Sequence, residues 1–398
     1  MLGILLLHFN LAAQVVLVGG STGADGVLNK DYLDVHDTDG QFGSPYLLTV
    51  PAGGRFEFST INIPANVTVG FKSNAMNDPV YLLATGDVTI AGLVHVDGQR
   101  GQTSAGGRGG PGGYDGGEPG FGATPGDGHG PGGGHFTPVA VEDNNSRRAL
   151  WSGSYSAVGP DGTGWGRKGT GSIYGNPSCF PLTGGSGGAG GFNQGGGGGG
   201  GGAILIGSEG KISISGAVRS LGGIYPNQLT AGSASGGCVR IVAPAVIVTG
   251  TLEATSVLPG VDGTEYGGRG FVRIDTIDRS GLAGISTPRY SVGSNMVVRL
   301  QSMPQISTIS AAGRTVINGE KLFVTLTNGE PALQDVVVEV ANFPGAPACV
   351  NLNVITVPGS GAATKTSFPA KPNGTHTLSV NIPQNTATSI EVYGTVCP

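Results

Sequence analysis

The chain has 398 residues, of which 77 are glycine and only 12% are charged, and its formal net charge is −5. So few long, charged side chains disfavour ordinary helices, whose best formers after alanine include Leu, Lys, Glu, Arg and Met. The longest basic runs are the pairs Arg147-Arg148 and Arg167-Lys168, too little to neutralise a phosphate backbone, so nucleic acid is set aside as a partner.

The chain opens MLGILLLHFNLAAQ. The apolar run Leu2–Leu7 and the small residues before Gln14 read as a signal peptide over residues 1–13, although the basic n-region is missing. The stretch is too short, and too interrupted by His8 and Asn10, for a spanning helix, and no other segment approaches one. Residues Val15–Gly43 read as a polar lead-in. Within it Asp34-Val35-His36-Asp37-Thr38-Asp39-Gly40 matches only half of a calcium loop, and the sequence favours a solvated turn. From Pro45 onward, Phe56-Glu57-Phe58, Ile61-Asn62-Ile63 and Val67-Thr68-Val69 alternate as half-buried strands do.

A strand-rich module then occurs three times, at Val80–Gly98, Ala203–Gly222 and Cys238–Val257. Each copy has an apolar strand, a short link, an alternating strand, a glycine (Gly92, Gly216 or Gly250) and a third short strand. Gly270–Asp275 reads as the opening of a fourth unit. Repetition of this kind predicts a parallel β-helix, a solenoid over residues 14–296 in which each coil buries its apolar face against the next. The repeated glycine falls where the chain must turn and a Cβ would be awkward.

Residues 98–202 interrupt the repeats with a glycine-rich tract that ends in an unbroken run, Gly195–Gly202. A flexible linker is the plain reading. The scattered aromatics Tyr114, Phe121, Phe136, Trp151, Trp165, Tyr174 and Phe192 favour an ordered insertion on the flank of the solenoid, in part polyproline-II-like. Of these, Tyr114, Phe121, Trp151 and Trp165 are the candidate binding residues, since Tyr and Trp on a rigid scaffold stack on sugar rings or anchor partners; the competing reading is that they pack the insertion down. Gly107–Gly112 formally matches GxGxxG but follows no buried strand, and in Gly164–Thr170 a glycine separates Lys168 from Thr170, so neither is a phosphate loop.

From residue 297 to 398 glycine thins, Val/Ile/Thr alternation dominates and turns such as Asn318-Gly319 and Asn373-Gly374 recur, which predicts a small C-terminal β-sandwich. None of the four cysteines shows CxxC spacing. Cys349 and Cys397, both in this last unit, are the expected disulfide, with Cys179 and Cys238 the weaker pairing.

An enzymatic reading needs paired carboxylates near a scissile bond. Asp87 and Glu209 occupy equivalent links and stack on one edge in the expected solenoid, yet neither has a partner within its own unit. No motif calls for a metal or another cofactor. The segments FEFSTINIPANVTVGFK, PVYLLATGDVTIAG, GGGGGGAILI and GGCVRIVAP, with PQISTISAAGRTV at the start of the C-terminal unit, resemble a group of uncharacterised exported bacterial proteins with glycine-rich parallel β-helix repeats and a C-terminal β domain. The resemblance implies export and a β-helix, and no activity. Together these readings point to a non-enzymatic structural protein, secreted or on the cell surface, whose adhesive or filament-forming role would involve an extracellular polysaccharide or self-association. The alternatives are a carbohydrate-active enzyme (polysaccharide lyase or glycoside hydrolase) and a glycan-binding module.

Overall fold

The computed structural model describes residues 17–38, 45–120, 125–135, 152–156, 172–191, 195–224, 231–256, 267–282, 290–298, 305–316, 323–341, 350–358, 364–370 and 373–396. The amino-terminal half runs β1 (Gly26–Leu28), α1 (Lys30–His36), β2 (Tyr46–Thr49), β3 (Arg55–Ile63), β4 (Thr68–Lys72), β5 (Val80–Ala84), β6 (Val88–Ile90) and β7 (Leu93–His95). After the glycine tract come β8 (Ala203–Ser208), β9 (Lys211–Ile214), β10 (Ala217–Arg219), β11 (Cys238–Val248), β12 (Thr251–Glu253), β13 (Phe271–Asp278) and β14 (Tyr290–Gly293). The C-terminal unit contributes β15 (Gln305–Ala311), β16 (Arg314–Thr315), β17 (Phe323–Val324), β18 (Leu333–Ala341), β19 (Val350–Pro358), β20 (Thr364–Ala370), β21 (Gly374–Asn381) and β22 (Thr388–Val396).

The fold is β-rich, but the expected parallel β-helix solenoid is corrected. The main sheet closes: β3, β5, β8, β11, β9 and β6 pair in a ring, a six-stranded parallel barrel. Closure follows from two long strands. β3 pairs with β5 over Arg55–Phe58 and with β6 over Ile61–Ile63. β11 pairs with β8 over Cys238–Val242 and with β9 over Ala245–Val248. Each therefore bridges two neighbours that would lie in separate sheets if the strand broke. A second, flat parallel sheet in the order β12-β10-β7-β4-β2 packs against the barrel.

The repeats meet residue for residue. Ile61, Val88, Ile212 and Val246 are register partners in succession, and so are Ile63, Ile90, Ile214 and Val248. All eight are buried and belong to one apolar cluster that also takes in Val94, Val218 and Leu252 of the flat sheet. Period-2 alternation supplies this directly, because every second side chain of a strand faces the same side. Gly92, Gly216 and Gly250 lie in the bends expected between the second and third strands of their units, and they are stacked on one another. A Cβ on Gly216 would lie 1.9 Å from the Gly92 carbonyl oxygen, and one on Gly250 would lie 1.9 Å from that of Gly216. Close approach of backbone to backbone demands these glycines.

One short α-helix was not foreseen in the lead-in. Asn29 caps α1 by accepting from the Tyr32 N–H at 3.0 Å, and Leu33 buries its one apolar face. The half-match to a calcium loop falls here: Asp34 accepts from Lys30 and Tyr46, and Asp37 accepts from the Leu47 N–H. Among the described residues no group of three or more His, Cys, Asp or Glu side chains is placed to hold a metal ion.

Where it is described, the glycine tract is an ordered lattice of extended segments hydrogen-bonded to one another. The run 195–202 lies in its middle, buried throughout. Gly197 and Gly200 donate to the carbonyls of Gly117 and Tyr114, Gly198 and Gly201 to those of Gly232 and Ser235, and Gly199 and Gly202 to those of Gln99 and Val96. Successive residues thus address three different neighbours and the pattern repeats every third residue, the periodicity of a polyproline-II-type helix. All three faces are closed. A Cβ would lie 1.9 Å from the Gly188 oxygen at Gly197, 2.0 Å from the Gly223 oxygen at Gly198 and 2.1 Å from the Arg108 oxygen at Gly199. That is why the run is unbroken. The formal GxGxxG is absorbed in the same lattice, with Gly107 and Gly110 donating to Gly197 and Gly200.

Cys179 is bonded to Cys238, with their Cα atoms 6.2 Å apart, and so pins the tract to the first residue of β11. The pairing favoured from sequence, Cys349 with Cys397, lies outside the described residues. Beside the disulfide, Tyr155 packs edge-on against Tyr174 and Phe271, with ring centroids 4.9 and 5.9 Å away. Its hydroxyl donates to the Thr183 carbonyl at 3.0 Å, and burial pushes its pKa up to about 12. Nearby, the fully buried Arg240 pairs with Asp275 at 2.9 Å and donates to the Asn295 carbonyl.

The C-terminal unit is two flat antiparallel sheets, β16-β15-β18-β21 and β17-β22-β19-β20. Val336, Val338 and Val340 from one and Leu352 and Val354 from the other share a single apolar cluster.

Replacing Gly200 by Ala would drive a Cβ to within 1.9 Å of the Gly185 oxygen. The expected loss is about 3 kcal/mol, as for a severe overpacking of a core, read as a lower denaturation midpoint in guanidinium. Replacing both Cys179 and Cys238 by Ser opens a loop set by a sequence separation of 59. Chain entropy gives an expected loss of about 4 kcal/mol, measurable in the same titration.

Candidate functional site

The glycine tract meets the C-terminal unit through a polar tie and a cavity. Glu391 on β22 accepts at one oxygen from the His129 imidazole and at the other from the Gly130 N–H, the latter at 3.0 Å. The His129 ring is positioned by its own backbone, whose N–H donates to the Asp115 carbonyl at 3.0 Å. A two-residue segment of the tract is thereby clamped to a strand 262 positions away in sequence.

Beside this tie lies a cavity of about 330 Å³. Its tract wall is built by Arg108, Asp115, Glu118, Asp127 and His129, and its opposite wall by Phe323, Pro358 and Ser389. The lattice fixes the tract wall. Asp115 Oδ1 accepts from the Gly109 N–H at 2.8 Å and Glu118 Oε2 from the Gly106 N–H at 3.2 Å, so both carboxylates are anchored to their own backbone. Asp127 is fully buried and pairs with His135 Nδ1 at 2.9 Å. On the other side Phe323 is 55% exposed, an aromatic face at the rim, while Ser389 is only 6% exposed. Among the described residues the Ser389 hydroxyl oxygen has no hydrogen-bond partner, and it is buried. The size is at the lower end of the range of small-molecule sites, about 300–1,000 Å³.

Of the candidate binding residues read from the sequence, only Tyr114 is among the described residues; Trp151, Trp165 and Phe121 lie outside them, as do Cys349 and Cys397. Tyr114 is half-buried and its ring closes over Gly130, where a Cβ would meet the ring at 2.6 Å. It thus packs the tract directly behind the His129–Glu391 tie. Tyr155 and Tyr174 pack the tract likewise. The stacked acids Asp87 and Glu209 are not brought together as a pair: Asp87 Oδ1 accepts from the Lys211 N–H at 2.9 Å, holding the next repeat in place. The carboxylates that do line a cavity, Asp115, Glu118 and Asp127, belong to no recognisable motif in the sequence. Phe323 and Ser389 carried no signal, because they reach the cavity from another unit.

The fold and cavity define a class no finer than a β-rich, disulfide-linked scaffold with a polar cavity between its glycine tract and its C-terminal unit. Comparison with family models, with curated proteins and with solved structures finds no match to this chain.

Glu391→Gln keeps the shape of the tie and removes its charge. A charge-assisted hydrogen bond contributes about 1.5–3 kcal/mol. The expected result is a loss in that range in chemical denaturation, with faster amide exchange at Gly130.

Proposed function

We propose that this chain is a non-enzymatic structural protein that works outside the cell or on its surface, and that its role is adhesive, toward an extracellular polysaccharide. The observation that carries this reading is the glycine lattice. Segments far apart in sequence saturate one another's backbone groups with hardly a side chain between them, an arrangement suited to holding a surface rigid. Rigid presentation lowers the ordering cost of binding, which matters when individual contacts are weak.

Two further observations are compatible with it. The Cys179–Cys238 disulfide suits an oxidising compartment, and among the described residues no helix is long and apolar enough to cross a membrane. The resemblance to exported proteins with glycine-rich repeats points the same way, with residues 1–13 as the export signal. Self-association into filaments is the variant of this reading, through the open edges of the flat sheets.

The test is incubation of the purified protein with acidic and neutral polysaccharides, with and without calcium, followed by measurement of retained protein and of released chain ends. Retention without new chain ends is expected. Cleavage would overturn the non-enzymatic reading, and absence of retention on every polysaccharide would overturn the adhesive one.

A further inference from the structure

We infer that β21 is a self-association edge, and that two copies of this chain join by antiparallel pairing of β21 with β21 about a two-fold axis. The sheet β16-β15-β18-β21 then runs on into its copy. The inference rests on the self-association variant of the adhesive reading and turns it from an open filament into a closed pair.

A sheet edge presents a row of unpaired N–H and C=O groups, and proteins blunt such edges with short strands, lysine, proline or a covering segment. The other sheet ends of this molecule are blunted in these ways. β16 and β17 have two residues each, and β12 has three. β20 carries Lys365 and Pro369, and proline cannot donate to a ladder. β2 is covered, because the Leu47 N–H donates to Asp37 and the Leu47 carbonyl accepts from the Thr38 N–H at 2.9 Å. β21 has none of these protections. It runs for eight residues, Gly374–Asn381, without proline or lysine, and β18 is its one partner strand among the described residues. Every second residue of an antiparallel strand turns its backbone groups away from its neighbour, so β21 offers a full row of them to its open side.

The strand is also complementary to itself. Thr375, Thr377, Ser379 and Asn381 are exposed on one face, while Leu378 and Val380 are buried on the other. With Thr377 opposite its own copy, or opposite Ser379 of the copy, hydroxyl meets hydroxyl along the exposed face, a favourable cross-strand pairing. His376 is the one titratable side chain in the strand, so neither register sets fixed like charges against each other. The nearest carboxylates on the same face, Asp335 and Glu339, are register partners of Ser379 and Thr375 on β18. They would stand three strand spacings from their copies, about 14 Å, which is beyond the screening length of about 8–10 Å.

The experiment is size-exclusion chromatography with light scattering on the full chain, from about 5 to 500 µM. A short edge buries little surface, so a monomer–dimer equilibrium with a dissociation constant on the order of 10–100 µM is expected. Thr377→Lys and Thr377→Glu, at an exposed position, should each weaken the dimer at least tenfold and leave the denaturation midpoint unchanged. An equimolar mixture of the two variants should recover a dimer containing one of each, because opposite charges then face each other across the axis. Thr364→Lys on β20 should leave the wild-type equilibrium as it is. A chain that stays monomeric throughout, a dimer that Thr377→Lys does not weaken, or a mixture that stays monomeric would overturn the inference. Open-ended oligomers indifferent to Thr377→Lys would overturn the closed pair and spare the filament variant. Retention of Thr377→Lys on polysaccharide, measured alongside, reports on the adhesive reading by itself.

Discussion

The constraint on which the amino-terminal part of this molecule depends is the absence of room for a Cβ atom between hydrogen-bonded backbones. At Gly197, Gly198, Gly199 and Gly200 the space a side chain would occupy is filled by a carbonyl oxygen of a neighbouring segment, at 1.9–2.1 Å from the ideal Cβ. In an ordinary core, apolar side chains exclude water and the backbone is satisfied separately, in sheets or helices. Here the backbone is itself the packing material. Glycine loses more conformational entropy on folding than any other residue, so such a lattice forms only if nearly every N–H and C=O finds a partner. The three-residue pattern of donors along 197–202 shows how that is achieved, with one neighbour for each face of the segment.

The lattice cannot stand without the barrel, and the barrel is shaped by two strands. Because β3 and β11 run on where the shorter strands of the repeats stop, one end of the parallel stack is joined to the other and the ring closes. The tract enters directly after β7 and returns directly into β8. Its lattice is therefore nucleated at both ends by strands already in register: Gly202 donates to the Val96 carbonyl and Cys238 donates to that of Gly202. The disulfide and the Tyr155–Tyr174–Phe271 cluster then hold the far side of the tract against β11 and β13. A buried ion pair, Arg240 with Asp275, lies in the same region, where burial draws the guanidinium pKa down and Asp275 opposes it.

What could be read from the residues alone divides along the same line. The strands of the repeats were legible, since Val88-Thr89-Ile90, Ile212-Ser213-Ile214 and Val246-Ile247-Val248 carry their inward face in a period of two, and they align in the structure at those positions. Closure was not legible. A solenoid and a ring differ only in whether strands such as β3 and β11 break between their two pairings, and no turn signal separates Phe58 from Ile61 or Val242 from Val246 in a way that decides it. The helix at Lys30–His36 was masked by a composition that argues against helices in bulk, although Asn29 followed by Lys30-Asp31 is a legitimate start signal. The cysteine pairing turned on tertiary proximity: Cys179 lies in a loop whose path depends on the whole lattice, and spacing says nothing of it. The cavity was the least legible, because Phe323, Pro358 and Ser389 come from another unit, far along the chain from the tract residues that make the rest of its wall.

The lattice also gives the non-glycine letters of the tract a meaning that they lack in a linker. Where every face of a segment is closed by another backbone, a side chain of any size fits only where a neighbour is missing. Arg108 and Glu118 are exposed and Asp115 half-buried, whereas the run Gly195–Gly202 is buried throughout. The buried polar residues of this region that face no cavity are mostly serines, such as Ser154, Ser186, Ser220 and Ser235, which substitute for glycine at the least cost in volume. A long polar side chain among the glycines therefore marks the rim of the lattice or a cavity in it. Asp127 is the case of a cavity, since it is fully buried and lines the one between the two units. On this argument chemistry in such a tract is confined to its boundary, and the boundary it shares with β17 and β22 is where polar side chains from both units converge.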